Sequence, residues 1–132
     1  MVTFSSNSYQ ISTSADSLNA FLSKPSNLIE ILPEDRIEDW KTEGETCSFK
    51  IKGLSHIALK LASKTSGSVV YENTSSKPFP FELKIYTNAT GNSVELSASF
   101  DADVNNFMKI MLQKPLTNFL NSLGETIQKK HA

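Results

Sequence analysis

Apolar and polar residues alternate through most of the middle of the chain. Between residues 35 and 101 the apolar positions recur every second residue, as in Cys47, Phe49 and Ile51. A period of two with one apolar face predicts the strands of an antiparallel sheet that is buried on one side only. We therefore expect an α+β fold with a curved sheet of about six to seven strands, the first of them over residues 7–13.

Two short helices are predicted after the first strand. Ser14 offers a capping oxygen to a helix over residues 16–23. Pro25 suits the first turn of a second helix, which would cover residues 27–32 and end at Pro33.

The strongest pattern is the three-and-four spacing of apolar residues that follows Asp103, which is typical of a long one-sided helix lying along the sheet. At about 100° per residue, its apolar stripe over 104–112 and its stripe over 116–127 point about 110° apart. One additional residue before Pro115 would bring both stripes onto one face. We therefore predict a kink, or a single-turn π-bulge, near residues 110–115.

Composition and charge limit the kind of protein. A chain of 132 residues with 39% hydrophobic residues suits one domain over 1–132, with a core that needs no disulfide, metal or cofactor. The net charge of -1 comes from scattered residues, which disfavours nucleic-acid binding. Cys47 is the only cysteine, no secretory signal is visible, and no stretch approaches the roughly 18 apolar residues of a membrane span. We expect a reduced, cytoplasmic protein, and its oligomeric state is left open.

The order of these elements resembles the helix-grip fold of the START-like superfamily (SRPBCC, polyketide cyclase-like or Bet v 1-like proteins). The segment from Phe100 to Met111, followed by Lys114-Pro115-Leu116, is similar to the strand-to-helix junction of small bacterial members without an assigned function. Ile51-Lys52-Gly53, Asn27-Leu28 and Leu32-Pro33 are similar to other members too. Cystatin-like and NTF2-like folds, the rivals, usually place the long helix before the sheet, whereas here it comes last.

The first candidate site is a cavity between the long helix and the sheet. The helix wall would consist of Phe107, Met108, Met111 and Leu112. The sheet wall would consist of Phe49, Ile51, Leu59, Tyr71, Phe81, Leu83, Leu96 and Phe100. The apolar pattern alone favours a filled core, whereas the resemblance implies a hydrophobic ligand there. Our leading interpretation is a binding or carrier protein for a lipid-like or isoprenoid-like molecule, with Tyr71 as a polar contact.

Two other functions stay open. A cyclase-type or hydrolase-type enzyme could use the same cavity, although the predicted inward positions supply few of the convergent polar groups that catalysis needs. Alternatively, the chain is a surface interaction module with a filled core, in which the Pro78-Phe79-Pro80-Phe81 segment forms an exposed patch. The alternation favours a strand with Phe79 and Phe81 inward instead.

For each polar candidate residue, a structural role is a better explanation than a catalytic role. Asp101 and Asp103 would share one face of an extended segment and could do acid–base work or hold a cation. We favour capping of the long helix by Asp103, with Asp101 in solvent. His56 and Cys47 fall on opposite faces, so we expect a buried, inert thiol and no zinc site. Trp40 is expected to pack at the rim of the helix–sheet interface.

Overall fold

A computed structural model describes residues 2–32, 35–52, 56–74 and 79–131. Within them, eight antiparallel strands form one sheet in the order β1-β8-β7-β6-β5-β4-β3, and β2 also pairs with β8. The strands are β1 (Val2–Ser5), β2 (Tyr9–Ile11), β3 (Ile37–Glu43), β4 (Thr46–Ile51), β5 (His56–Lys64), β6 (Ser68–Asn73), β7 (Phe81–Thr90) and β8 (Ser93–Ala102). The helices are α1 (Ala15–Leu22), a 3₁₀ helix (Pro25–Glu30) and α2 (Asn106–His131).

The predicted fold class is confirmed: a sheet of antiparallel strands carries two short helices early in the chain and one long helix at the end. The strand that the sequence did not predict is β1, which is too short to show an alternating pattern. It is held by pairing with the end of β8, where Val2 lies opposite Ala102. Pro33, Gly53 and Pro78, which enter the predictions above, lie outside the described residues.

The core lies between the helices and one face of the sheet, called here the inner face. Along β7 and β8 the apolar side chains of this face lie opposite one another, as Leu83 does with Phe100 and Ile85 with Ala98. The 3₁₀ helix covers the β3–β5 side of the face, α1 covers β6 and β7, and α2 covers β1, β2 and β8. The alternation of the sequence therefore translates directly into an inner face that is buried and an outer face that is polar.

Helix α1 is fixed by a cap and by a buried polar residue. The Ser14 Oγ accepts a hydrogen bond from the Ser17 N–H at 3.1 Å, as predicted. On the buried side, the Asn19 Nδ2 donates to the Ser66 carbonyl at 2.9 Å, and the Thr87 hydroxyl donates to the Asn19 Oδ1 at 2.6 Å. Because a buried polar group is costly unless it is hydrogen bonded, these contacts set the position of α1 on the sheet.

The cap of α2 is Asn105, so the prediction that Asp103 caps this helix is wrong. The Asn105 Oδ1 accepts a hydrogen bond from the Met108 N–H at 2.9 Å. Asp103 is exposed and lies before the cap, where its backbone N–H donates to the Pro80 carbonyl at 2.9 Å. The chain needs three residues to turn from the end of β8 into the helix, and this turn moves the helix start past Asp103.

The second half of α2 holds the helix on the sheet. Its buried side chains are Leu116, Phe119, Leu120, Leu123 and Ile127. Gly124 lets the ring of Tyr9 approach the helix so closely that an added Cβ would lie 2.4 Å from a ring carbon. The Tyr9 hydroxyl donates to the backbone carbonyl of Asn121 at 3.2 Å, and this bond orients the ring.

The first half of α2 differs from the prediction. Every residue from 106 to 131 is α-helical, so the predicted π-bulge near 110–115 is wrong, whereas a kink there stays a prediction. With no additional residue in the helix, the two apolar stripes remain on different faces. Leu112 joins the buried stripe, whereas Phe107, Ile110 and Met111 are 71%, 74% and 61% exposed.

Candidate ligand-binding site

The sheet side of the candidate site is assembled as a continuous apolar wall. All eight residues that the sequence placed there lie on the inner face, and each is at most 2% exposed. These residues are Phe49, Ile51, Leu59, Tyr71, Phe81, Leu83, Leu96 and Phe100. Their common face follows from the alternation in β4 to β8, because residues two apart in a strand project to the same side.

The aromatic side chains of this wall form two clusters. Near the start of α2, Phe81 stacks on Phe100 with ring centroids 4.6 Å apart, and Phe79 meets both rings edge-on. Phe79 and Phe81 therefore face inward, so neither contributes to an exposed aromatic patch. Deeper in the fold, Phe119 of α2 stacks on Phe49 at 6.1 Å. Side chains thus fill the interface between the sheet and the second half of α2.

Trp40 also stacks on the Phe49 ring, with centroids 6.1 Å apart. Its side chain is half-buried at β3, which is an edge strand of the sheet. This is the rim position that was expected from the sequence, and it explains the tryptophan as a packing residue.

The helix side of the site is only partly assembled. Leu112 is buried, and Met108 is half-buried and packs against the core. Phe107 and Met111 point away from the sheet, so the expectation that they lie on its facing wall is wrong. The reason is geometric, because each precedes an inward residue by one position and therefore lies about 100° round the helix from it.

The polar groups of the inner wall bond to the protein itself. The Tyr71 hydroxyl donates to the Leu22 carbonyl at the end of α1, and burial raises the pKa of this tyrosine. Cys47 is a buried free thiol, and loss of solvation raises its pKa to about 12. At neutral pH such a thiol stays protonated and is a poor nucleophile, as the sequence predicted.

Asp101 lies on the outer face of the sheet, where its carboxylate contacts two side chains. The Lys84 ammonium lies 2.8 Å from its Oδ2, and the Thr3 hydroxyl donates to its Oδ1 at 2.6 Å. Desolvation pushes the pKa of Asp101 upward, but the hydrogen bonds from Lys84 and Thr3 outweigh it and lower the pKa below its usual value. Asp101 is therefore a structural anion that joins β1, β7 and β8, and not the solvent-facing carboxylate that was expected.

His56 is also on the outer face, where its Nε2 lies 3.2 Å from the Asp39 Oδ2. Asp39 adopts a φ of 58° at an irregularity in the pairing of β3 with β4, a conformation that aspartate tolerates better than most residues. The histidine and Cys47 thus lie on opposite faces of the sheet. Among the described residues, no group of three or more His, Cys, Asp or Glu side chains could hold a metal ion.

A cleft of about 920 Å³ lies away from this wall. It opens between the start of α1 and the turns that join β5 to β6 and β7 to β8. Seven of its twelve lining residues carry hydroxyl or amide side chains, including Thr13, Asn88, Asn92 and Ser93, and it shares no residue with the predicted site. An open cleft with this many polar side chains lacks the apolar enclosure that a hydrophobic ligand needs.

No protein-family model matches the chain, and no curated protein matches it in sequence. Solved structures do match. A START superfamily protein from Mycobacterium smegmatis superposes with a TM-score of 0.73 at 12% identity, over 98% of this chain and 96% of that one. The chain has the START-like helix-grip fold. The resemblance that the element order suggested is thereby confirmed at the level of the fold.

Two other solved structures that match the chain carry different names. Norcoclaurine synthase from Thalictrum flavum matches with a TM-score of 0.74 at 15% identity, over 98% of this chain and 92% of that one. An uncharacterised protein from Bacillus thuringiensis matches with a TM-score of 0.64 at 15% identity, over 98% of both chains. One of these structures is therefore named as an enzyme, and another is described as uncharacterised. At identities this low, only the fold can be carried over from them to this chain.

None of the described helices combines the length and the hydrophobicity that a membrane-spanning helix requires.

Proposed function

We propose that this protein binds a small hydrophobic or amphipathic ligand, lipid-like or isoprenoid-like, between the first half of α2 and the inner face of the sheet. The observation that carries the proposal is the unequal attachment of α2. Its second half is held by a buried stripe from Leu116 to Ile127, whereas its first half packs on the core only through Met108 and Leu112. The START-like fold supports the same placement, because this superfamily holds hydrophobic ligands in that space.

The proposed binding surface is the sheet wall of Phe49, Ile51, Leu59, Tyr71, Phe81, Leu83, Leu96 and Phe100, with Met108 and Leu112 opposite. Burial of hydrocarbon against this wall would stabilise the complex by roughly 25 cal/mol per Å² before the cost of ordering the ligand. In this proposal, Phe107 and Met111 contact the ligand only if it extends to the outer side of the helix.

Access to the wall is proposed to occur by movement of the first half of α2 about Pro115. Proline has no backbone N–H, so the Met111 carbonyl one turn earlier lacks its helical donor. The missing bond falls at the border between the loosely attached half and the anchored half. The stack of Phe119 on Phe49 would keep the second half in place while the first half moves.

The catalytic alternative receives less support from the described side chains. An enzyme in this space would need polar groups that converge on a substrate. The buried polar side chains between the helices and the sheet include Asn19 of α1 and Tyr71 and Thr87 of the inner face, and each already bonds to another part of the protein. A cytoplasmic location is part of the proposal and is supported by the single, unpaired cysteine.

The test is native mass spectrometry of the protein purified from its own cells, followed by organic extraction of any adduct. Met108→Lys and Ile110→Lys form a matched pair, because they add the same charge to one helical turn on opposite sides. We expect a stoichiometric apolar adduct in the natural protein, its loss in Met108→Lys, and its retention in Ile110→Lys.

Two results would contradict the proposal. One is an adduct that survives Met108→Lys but disappears with Ile110→Lys, which would place the ligand on the outside of the helix. The other is a clean mass together with no binding of an apolar fluorescent probe by the natural protein. Circular dichroism of both variants checks that the added charge has not unfolded the chain.

A further inference from the structure

The outer side of the first half of α2 carries an exposed apolar patch, defined here as Phe107, Ile110 and Met111. These residues are three and four positions apart, so they form one ridge on the helix. At about 200 Å² per large apolar side chain, their exposed fractions correspond to roughly 400 Å². A patch of this size matches the largest apolar patch of a typical monomer, which is often functional.

Along α2, the charged residue that continues the ridge of the patch is basic, whereas Asp103 is exposed before the helix begins. Lys114 lies four residues after Ile110 and three after Met111, so it continues the same ridge. Within the described α2, Glu125 is the first acidic residue, about 21 Å along the axis from Met111 at the usual helical rise. Lys109 points away from the patch. Helices that lie in the headgroup region of a bilayer likewise place basic side chains beside apolar ones.

The size of the patch argues against a second copy of the chain as its partner. Two such patches facing each other would bury roughly 800 Å², whereas stable dimers bury about 1,200 Å² or more. A ridge on a helix is also convex, so a protein partner would need a matching groove. A bilayer surface needs none, because acyl chains and headgroups adapt to the shape that is inserted.

We propose that the Phe107–Ile110–Met111 patch docks the protein on the surface of a lipid bilayer that contains anionic headgroups. The apolar side chains enter the boundary between headgroups and acyl chains, and Lys114 contacts lipid phosphate. The docking is reversible, because three side chains and a single lysine form a small anchor and the overall charge of -1 adds no general attraction. This inference does not depend on the carrier function proposed above.

The experiment is flotation of the purified protein with vesicles of phosphatidylcholine alone, or of phosphatidylcholine with phosphatidylglycerol. The test variant is the triple substitution Phe107→Ser, Ile110→Ser and Met111→Ser, which should fold because all three side chains are mostly exposed. The matched control is Tyr86→Thr, which removes an exposed aromatic ring from the outer face of the sheet.

We expect the natural protein and Tyr86→Thr to float with the anionic vesicles. The triple variant should bind about 100-fold more weakly. Lys114→Gln should bind about fivefold more weakly, and only on the anionic vesicles. Equal binding by the triple variant, or no binding of the natural protein to either vesicle, would overturn the proposal. So would a dimer, seen by analytical ultracentrifugation, that the triple variant abolishes.

Discussion

At the scale of single residues, the contact between Gly124 and Tyr9 shows how one missing side chain fixes the path of the chain. The ring of Tyr9 occupies the volume that a Cβ at position 124 would need. Glycine is unfavourable inside a helix by about 1 kcal/mol relative to alanine. Its presence in the anchored half of α2 is explained by this close approach of β2.

Gly124→Ala should therefore destabilise the protein by about 1 to 2 kcal/mol, although it improves helix propensity. The reason is that the Tyr9 ring must move away and its hydroxyl loses the Asn121 carbonyl. Urea unfolding measures the change in the free energy of unfolding. Gly67→Ala is the control, since an added Cβ there meets no atom within 4 Å. A more stable Gly124→Ala protein would show that the ring moves without cost.

At the scale of elements, the start of α2 tests which residue caps the helix. Asn105→Ala should lower the free energy of unfolding by about 1 kcal/mol, because it removes the acceptor of the Met108 N–H. Asp103→Ala should cost less than half as much, because Asp103 lies outside the cap and contributes only its charge near the helix start. Thermal and urea unfolding of both variants give the comparison.

Asn105→Asp serves as the rescue variant in this experiment, because aspartate caps helices as well as asparagine does. Its stability should match that of the natural protein. A larger loss for Asp103→Ala than for Asn105→Ala would return the capping role to Asp103. It would then mean that the helix begins earlier in solution than at Asn106.

Apart from β1, the elements could be predicted from the sequence, but the junction between β8 and α2 could not. Alternation located β4 to β8 because one buried face leaves a clear period of two. The start of α2 was missed because both Asp103 and Asn105 are good capping residues. What selects Asn105 is the length of β8, which is fixed by the pairing of Ala102 with Val2 and Phe81. That information lies far away in the sequence.

All of the sheet residues predicted for the candidate site lie on its wall, but only two of the four predicted helix residues, Met108 and Leu112, face the core. Strand parity is strict, so Phe81 and Phe100 could only face inward together. On α2 the offset between the two apolar stripes was visible in the sequence. It admitted two solutions, an added residue in the helix or an exposed stripe, and the protein uses the second. Local pattern could not decide between them, because the answer depends on which half the sheet anchors.

At the scale of the whole molecule, the two halves of α2 should differ in local stability. The amides of the second half belong to a segment whose side chains are part of the core, including the stack of Phe119 on Phe49. The first half has few core contacts and borders Pro115, which removes one hydrogen bond of the helix. Local opening follows such differences in buried contact and hydrogen bonding.

Hydrogen exchange followed by mass spectrometry should therefore show faster exchange over residues 109–114 than over 119–127. Pro115→Ala restores a donor to the Met111 carbonyl and should slow exchange of the first half by at least about tenfold, leaving the second half unchanged. Uniform protection along α2 would contradict this, since it would mean that the helix moves only as one body. In that case Pro115 would not be the point about which a ligand gains access, and α2 would have to leave the sheet as a unit.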